Sequence, residues 1–452
     1  MPRYEFTEGS SSKFWEITLS GKSFTTRWGR IGTEGQEKTQ SFASPAEAKK
    51  EHDKLVREKE KKGYELVGEG GGEAGGDDGE SAEPASNPEL EAAILKDPDN
   101  VDAYLVYSDW LQHQGDPRGE LIALHHAVSQ ASGKEASNLK RKATAHIQKH
   151  QALLLGELAE AVEEEELTVE WFLGFIRSAR VARKDYDSTR DIGETARELL
   201  AHPSARFIRG LTLGIADFDG ENTYDDVIEQ LTEAGGSKTI QDLFIGDFQY
   251  PDEMEISWSH LNDVSPLLKR LPALRTLRLR GASLELGNVN LPELREFTVE
   301  TGGLPLSAVK SIVTAKWPKL ERLEIWFGSE NYGAEGGVKD IQPLLDGKGL
   351  PNLKRLGLRN SEFTDELCKV LPTAKVLPQL ETLDLSMGIL SDEGASLLAG
   401  HTAAFAHLQQ LDLTENTLTP QGQKQVAKMG AFVRAGNQRE YEEDYRYAAV
   451  GE

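Results

Sequence analysis

Two histidines, His146 and His150, are the first residues whose spacing could support chemistry. They lie four positions apart in a segment with helical pattern, so both imidazoles would share one helix face, as in helical zinc sites. The sequence offers no obvious third ligand, and no glutamate stands between them in the H-E-x-x-H arrangement. We therefore interpret the pair as solvated or packed side chains and predict no metal and no cofactor.

Other reactive residue types also favour structural roles. Asp109, Asp116, Arg118 and Glu120 surround a predicted helix boundary, where helix caps and ion pairs explain them better than catalysis does. The lone Cys368 excludes an internal disulfide and is expected in a buried repeat position. The chain has no P-loop, no G-x-S-x-G motif with a suitable partner and no paired cysteines, so we predict that it is not an enzyme.

A tryptophan with basic neighbours gives the sharper candidate site. An exposed indole stacks on a base or sugar with about 1–3 kcal/mol per base, and nearby basic side chains neutralise phosphates without reading sequence. The candidate nucleic-acid contacts are Trp28, Gly29, Arg30, Arg27, Lys22 and Lys38. In the alternative interpretation Trp28 is a core residue, Gly29 permits a tight strand crossing and Arg30 pairs with a carboxylate.

The elements around Trp28 predict a small antiparallel sheet followed by a helix. Residues 4–43 form short β-like runs separated by Gly and polar residues. Ser44 is a suitable helix cap and Pro45 fits the first helical position, so a helix is expected from there to Gly63.

This segment resembles the WGR domain. The resemblance covers residues 1–67 and rests on TTRWGRIGTEGQ, an aromatic second strand and the helix entry SFASPAEA. WGR domains occur in poly(ADP-ribose) polymerases, where they contact DNA at a break, and in bacterial regulators of the MolR-like family. The resemblance implies that Trp28 lies against a sugar or terminal base and that Arg30 contacts phosphate or a neighbouring domain. The transferase region of the polymerases is not recognisable here.

Charge divides the chain in two. The net charge is −24, which opposes general attraction to nucleic acid. Residues 1–67 nevertheless carry +2, so the remainder carries −26. Residues 68–88 are rich in Gly, Ser, Ala and acids, which predicts a flexible acidic linker between parts with different partners.

Residues 89–204 have helical pattern and are expected to cap the domain that comes after them. The DPDN turn at 97–100, followed by YSDWL and GDPRGE, resembles the repeat-companion segment of large-genome bacteria such as myxobacteria, a resemblance that brings no established chemistry. Helix is predicted to continue over 134–200, with Trp171, Phe172, Phe175 and Ile176 forming an apolar junction to the next domain.

Residues 205–430 contain eight copies of an L-x-x-L-x-L pattern, at intervals of 20 to 34 residues. They begin at Ile208, Ile240, Leu274, Leu294, Leu320, Leu353, Leu380 and Leu408. This periodicity predicts an α/β leucine-rich-repeat solenoid, and the last copies resemble the ribonuclease-inhibitor subclass. Asn416 is expected to bond along the turns.

The residues between the strand leucines would form a concave surface suited to protein recognition. Two insertions, 248–264 and 328–342, add aromatic residues that either bind a partner or pack locally. The candidate protein contacts are Arg278, Glu324, Asp384, Asp412, Trp258, Trp326 and Tyr332. The tail, 431–452, is expected to be disordered or lightly docked.

The sequence therefore predicts a multidomain α+β protein: a small antiparallel-sheet WGR domain, a helical segment and a leucine-rich-repeat solenoid. No apolar run reaches the length of about 18 residues that a membrane helix needs, so a cytoplasmic location is expected. The favoured function is a bacterial adaptor or regulator that binds nucleic-acid ends or nicks through the WGR domain and an unknown protein through the repeats. The alternative is a protein scaffold with no nucleic-acid role.

Overall fold

A computed structural model of the chain describes residues 2–8, 11–20, 23–31, 33, 35–42, 50, 54–55, 59, 61–62, 64–69, 85–218, 220–288, 290–440 and 446–452. The chain divides into two compact units, Met1–Glu83 and Pro84–Glu452. The first contains a small antiparallel sheet, and the second contains a large mixed sheet with helices. At this level the predicted combination of sheet types is confirmed.

Five antiparallel strands form the first sheet, in the order β4-β3-β2-β1-β5. They are β1 (Pro2–Glu8), β2 (Ser11–Ser20), β3 (Ser23–Arg30), β4 (Gln36–Ser41) and β5 (Glu65–Glu69). Tyr4, Trp15, Ile17 and Phe24 form the apolar core on one face. Because β5 pairs with β1, the sheet continues two residues past the boundary predicted at position 67.

The predicted helix from Ser44 to Gly63 and the predicted linker lie largely outside the described residues. Within the helix, positions 50, 54, 55, 59 and 61 are helical. Of the linker 68–88, residues 70–84 are outside the described part, while position 88 already begins a helix.

Six helices open the second unit. They are Pro88–Lys96, Val101–His113, Pro117–Gln130, Gly133–Lys149, Gln151–Leu154 and Leu158–Glu163. Asn87, Asn100 and Asp116 cap the first three by accepting N–H groups of the first turn. Asp116 also forms an ion pair with the fully buried Arg118. The structural interpretation of Asp116 and Arg118 is therefore confirmed.

The helix predicted to continue through the Trp171 region is wrong: this segment is a β-hairpin. Strands β6 (Leu167–Phe172) and β7 (Phe175–Val181) are antiparallel. Leu173 (φ 42°) and Gly174 (φ 80°) join them, and positive φ at both residues suits a tight hairpin turn. The β-branched residues Thr168 and Val169 and the aromatic residues Trp171 and Phe172 favour a strand over a helix in β6. The hairpin pairs with the next strand and so still forms the junction to the repeats.

All eight L-x-x-L-x-L segments form neighbouring parallel strands. They are β8 (Gly210–Leu213), β10 (Asp242–Ile245), β12 (Thr276–Arg280), β13 (Glu296–Glu300), β14 (Arg322–Gly328), β15 (Arg355–Ser361), β16 (Thr382–Asp384) and β17 (Gln410–Asp412). The second apolar residue of each copy aligns in register with that of its neighbours, as Leu323 does with Leu356. The third apolar residues align in the same way from Leu213 to Leu358. With β6, β7 and β18 (Val433–Arg434) they complete an 11-stranded sheet.

Helices between these strands pack on the inward leucines in one continuous core. They are Ile192–Ala201, Asp225–Glu233, Ser265–Leu268, Leu306–Thr314, Gln342–Leu345, Thr364–Val370, Asp392–Gly400, Thr402–Phe405 and Pro420–Ala427. Short 3-10 turns are Pro203–Ala205, Ile256–Trp258, Glu330–Tyr332, Leu371–Thr373 and Leu377–Gln379. Two-residue strands β9 (Asn222–Thr223) and β11 (Ser259–His260) pair separately.

Among the residues that the structure describes, no helix has both the length and the apolar character required to cross a membrane.

Candidate functional site

Trp28 combines packing with partial exposure. It lies in β3 directly opposite Trp15 of β2, and its ring packs against the core of the first unit. The side chain is half-buried, so part of the indole remains at the surface. The core interpretation is therefore correct for one side of the ring, and the exposed remainder is the part that a ligand could contact.

Glycine is required at position 29 because the chain packs closely around it. A Cβ at this position would lie 2.8 Å from the Gly35 Cα and 3.2 Å from Phe14 Cε1. Any side chain would therefore push β3 away from the turn that leads into β4. This close packing agrees with the alternative interpretation, in which Gly29 permits a tight strand crossing.

The predicted basic residues divide between the two faces of the sheet. Arg30 and Lys38 share the face of Trp28, because side chains alternate along a strand and Lys38 lies opposite Thr26. Both are exposed. Arg27 is on the other face, 3.6 Å from the buried Glu16 carboxylate and 5.6 Å from the Phe14 ring centroid. These contacts give Arg27 a structural role. Lys22 lies outside the described residues.

Three lysines that the sequence analysis missed complete a basic cluster on the Trp28 face. Lys13 is the cross-strand partner of Arg30. Burial of Lys59 lowers its pKa, and repulsion from Lys62 and Lys13 lowers it further, so the three lysines are near enough to interact electrostatically. Lys59 Nζ also lies 5.5 Å from the Trp15 ring centroid. We define the basic cluster as Lys13, Arg30, Lys59 and Lys62. Its members are distant in the sequence, so only knowledge of contacts between distant segments could have predicted it.

On the large sheet, the predicted surface positions form one continuous row. We define the open face as the strand residues between the inward leucines: Thr212, Phe244, Arg278, Thr298, Glu324, Gly357, Asp384 and Asp412. Each aligns with the next across the ladder. The sequence pattern thus correctly predicted which residues share this face.

Several charged side chains on the strands that form the open face are paired with one another. Glu300 accepts hydrogen bonds from Arg278 Nε (2.7 Å) and Arg280 Nε (2.6 Å). Glu324 is only 8% exposed and accepts from Arg359 Nη1 at 2.6 Å. These contacts leave little of the Glu324 carboxylate for a partner.

The carboxyl groups of the open face respond differently to burial. Burial raises the pKa of Glu324, but Arg359 and hydrogen bonds from Arg322 and Trp326 outweigh burial and leave the pKa below its ordinary value. Burial raises the pKa of Asp384, and Arg359, 3.4 Å away, offsets only part of that rise. Asp412 accepts from the backbone N–H and hydroxyl of Thr414.

The three predicted aromatic contacts have different surroundings. Trp258 is 62% exposed. Trp326 is partly buried, donates to Glu324 Oε1 at 3.0 Å and has the Arg359 guanidinium 5.1 Å from its ring centroid. Tyr332 donates to Glu452 Oε1 at 2.7 Å. Trp258 is therefore the most accessible of the three, whereas local packing describes Trp326.

Residues 446–452 are docked. Val450 is 5% exposed and joins a small apolar cluster with Phe248, Met254 and Met387. The tail was expected to be either disordered or lightly docked, and this segment is docked. Residues 441–445 lie outside the described part.

The surroundings of the histidine pair and of Cys368 suit structural roles. His146 is buried and its Nε2 donates to the Pro117 carbonyl at 2.8 Å. The His146 and His150 ring centroids are 4.6 Å apart. Within the described ranges, no group of three or more His, Cys, Asp or Glu residues is arranged to hold a metal ion. Burial raises the pKa of the Cys368 thiol, which disfavours the reactive thiolate.

Comparison with known proteins identifies the first unit. The model of the WGR domain family matches residues 2–71, so this part of the chain is a WGR domain. Protein YehF of Escherichia coli (strain K12) is 38% identical over 64 residues, which are 14% of this chain and 23% of that protein. Protein YfeS of the same organism is 35% identical over 63 residues, 14% of this chain and 26% of that protein. The matched segment spans about a quarter of each relative, so this likeness concerns the WGR domain alone.

A solved structure resembles the chain over nearly its full length. It is the crystal structure of a protein from Bacteroides fragilis, with a TM-score of 0.52 and 25% sequence identity over 99% of both chains. The second unit therefore also has a known structural counterpart.

Proposed function

We propose that this chain is a non-enzymatic adaptor or regulator with two binding surfaces. The WGR domain would bind nucleic acid at ends or nicks, and the second unit would bind a protein. Because both units belong to one chain, a partner bound to one unit would be held at a raised effective concentration near the other.

The observation that carries the nucleic-acid half is the basic cluster beside the exposed part of Trp28. The four positive side chains of the basic cluster provide contacts to phosphates, and the exposed part of the indole provides a flat surface on which a base or sugar can stack. These contacts do not depend on base identity, which suits recognition of an end or a nick rather than a sequence.

The test is a fluorescence anisotropy titration of the full-length chain with nicked, blunt-ended and single-stranded DNA at two salt concentrations. Trp28→Ala should weaken binding by about 1–3 kcal/mol at either salt concentration. Arg30→Ala and Lys62→Ala should each weaken binding and reduce the salt slope by about 0.9 for duplex DNA. Lys61→Ala is the matched control, because it removes the same charge from the opposite side of the helical turn that carries Lys59 and Lys62.

The nucleic-acid half of the proposal would be rejected if the three candidate variants bound DNA with the same affinity and salt dependence as Lys61→Ala. Absence of binding by the native chain at low salt would reject it as well. The protein-scaffold alternative then remains, and the packing of Trp28 on the core favours that alternative.

For the second unit we propose a leucine-rich-repeat solenoid that binds a protein through its open face and neighbouring loops. The in-register ladder of eight apolar copies supports this proposal. Exposed Trp258 and the partly exposed Arg278 are the preferred contacts, since interfaces concentrate binding energy in Trp, Tyr and Arg.

An affinity capture with the full-length chain tests this half of the proposal. Trp258→Ala should lose a partner that the native chain retains. Val106→Ala, at an apolar side chain that is also exposed (56%), serves as the control. Identical partner sets for all three proteins would remove Trp258 from the interface.

A further inference from the structure

Residues 446–452 lie in a groove that binds their main chain. The Val450 N–H donates to Asn360 Oδ1 at 2.9 Å, and Asn360 Nδ2 donates to the Val450 carbonyl at 2.6 Å. The Ala449 N–H donates to the Met387 carbonyl at 2.8 Å. The buried Asn360 amide therefore holds both polar groups of one residue, a contact that any extended peptide could make.

The same groove restricts side-chain size. Val450 enters the apolar cluster of Phe248, Met254 and Met387. A Cβ added to Gly302 would lie 1.8 Å from the Gly451 carbonyl oxygen, so the groove admits the chain only because Gly302 has no side chain. A Cβ on Gly451 would lie 2.6 Å from the Tyr332 ring. The groove thus prefers an aliphatic residue followed by glycine.

An open acidic cavity continues from this groove. Glu362 accepts the Ala448 N–H through Oε1 and the Glu330 N–H through Oε2. It also lines a cavity of about 550 Å³ together with Glu330 and Glu335. Three carboxylates at one opening attract a basic side chain and repel phosphate.

We propose that this groove is a docking site for an extended peptide of a partner protein, and that residues 446–452 occupy it as an intramolecular competitor. The partner segment has small residues, an aliphatic residue and a glycine in the order of Ala448–Gly451. A basic side chain placed in the acidic cavity gives the partner a contact beyond those of the resident segment. This inference rests on the proposed protein-binding role of the second unit and specifies its ligand.

The resident segment is held by its main-chain hydrogen bonds, by Val450 and by one side-chain contact near each end: Arg446 donates to the Thr417 hydroxyl, and Glu452 accepts from the Tyr332 hydroxyl. Ala448, Ala449 and Gly451 are small, and Tyr447 is 55% exposed. The contacts of Arg446, Val450 and Glu452, together with the main-chain hydrogen bonds, must offset the entropy of ordering the segment, because the residues between them bury little side-chain surface. A peptide with an additional charged contact would therefore displace it.

The test is an anisotropy titration of a labelled peptide of sequence RYAAVGE into full-length proteins. Val450→Asp places a charge in the apolar cluster and should release the resident segment. The peptide should then bind this variant at least about tenfold more tightly than the native chain, where the resident segment competes at high effective concentration. Adding Gly302→Ala to Val450→Asp should abolish binding.

Gly400→Ala in the Val450→Asp background is the matched control, since a Cβ at Gly400 meets nothing within 4 Å. Ala449→Pro offers a second way to release the segment, by removing the N–H that bonds to Met387, if Val450→Asp fails to fold. Equal peptide binding with and without Gly302→Ala would overturn the proposal. So would absence of peptide binding to a folded released variant.

A second peptide with lysine in place of the tyrosine tests the acidic cavity, because Tyr447 is exposed and directly precedes the Ala448 N–H that donates to Glu362. It should bind more tightly than RYAAVGE, and Glu335→Gln should remove the advantage. An advantage that persists in Glu335→Gln would refute the assignment of the cavity to a basic side chain. These titrations need no natural partner, so their failure is distinct from failure of the affinity capture that tests the protein-binding role.

Discussion

Asn416 allows a direct test of how the repeat turns are held together. Its side chain is completely buried. Oδ1 accepts the Leu390 N–H at 3.0 Å, and Nδ2 donates to the Leu385 carbonyl at 2.8 Å and the Leu413 carbonyl at 3.1 Å. One amide therefore joins two consecutive repeats.

The cost of Asn416→Ala follows from the groups that lose a partner. The Leu413 carbonyl keeps a hydrogen bond from Gln438, so the loss falls mainly on the Leu390 N–H and the Leu385 carbonyl. A buried polar group without a partner costs about 1–3 kcal/mol, so the free energy of unfolding should fall by about 2–5 kcal/mol. Asn416→Asp should cost at least as much, because one carboxylate oxygen would face the Leu385 carbonyl.

The assay is urea unfolding of the second unit within the full chain, together with hydrogen exchange at the Leu390 amide. Asn352→Ala is the control, because its exposed side chain makes one hydrogen bond, to the Pro318 carbonyl at 2.7 Å, and should cost less than about 1 kcal/mol. Equal destabilisation by the two alanine variants would refute this reasoning, as would unchanged Leu390 protection in Asn416→Ala.

Three further outcomes are expected. Burial lowers the pKa of His125 and His202 from 6.5 to about 4, and each accepts a backbone N–H in its neutral form. The unfolded chain therefore binds more protons than the folded chain below pH 6.5. The free energy of unfolding should fall by about 2 kcal/mol per histidine between neutral pH and about pH 5. Equal urea midpoints at these two pH values would contradict this. Glu300→Gln removes the charge that faces Arg278 and Arg280 and should lower the free energy of unfolding by about 2–3 kcal/mol, and an unchanged urea midpoint would contradict this. Lys62→Ala should raise the lowered pKa of Lys59 towards 10.5, as measured by NMR titration, and an unchanged value would show that burial alone sets it.

The repeat ladder was predictable from sequence because its signal is local and periodic. Each L-x-x-L-x-L copy specifies which residues point inward, and stacking of copies fixes the register. The role of Asn416 followed from its position after the last copy. Asp116 was predictable for a similar reason, since an acidic residue before Pro117 is a local helix-start signal.

Other features depend on contacts between distant parts of the chain. Lys59 and Lys62 meet Lys13 only after the sheet and helix have assembled. The burial of Glu324 depends on Arg359, which lies one strand away and 35 residues later. The hairpin at Leu167–Val181 was missed because the preceding alanine- and glutamate-rich helical pattern was extended past a change to β-branched and aromatic residues.

The two ends of the large sheet bear on how the chain avoids self-association. An exposed strand edge invites pairing with another molecule, and short edge strands limit that risk. At one end β18 has only two residues, Val433–Arg434, and its neighbour β17 has three. At the other end the antiparallel β6 carries Glu170, which points away from the leucine core and would oppose an incoming acidic strand. A sheet of eleven strands built from repeating copies would otherwise be a template for end-to-end polymerisation, and these terminal strands make a copy-by-copy extension unfavourable.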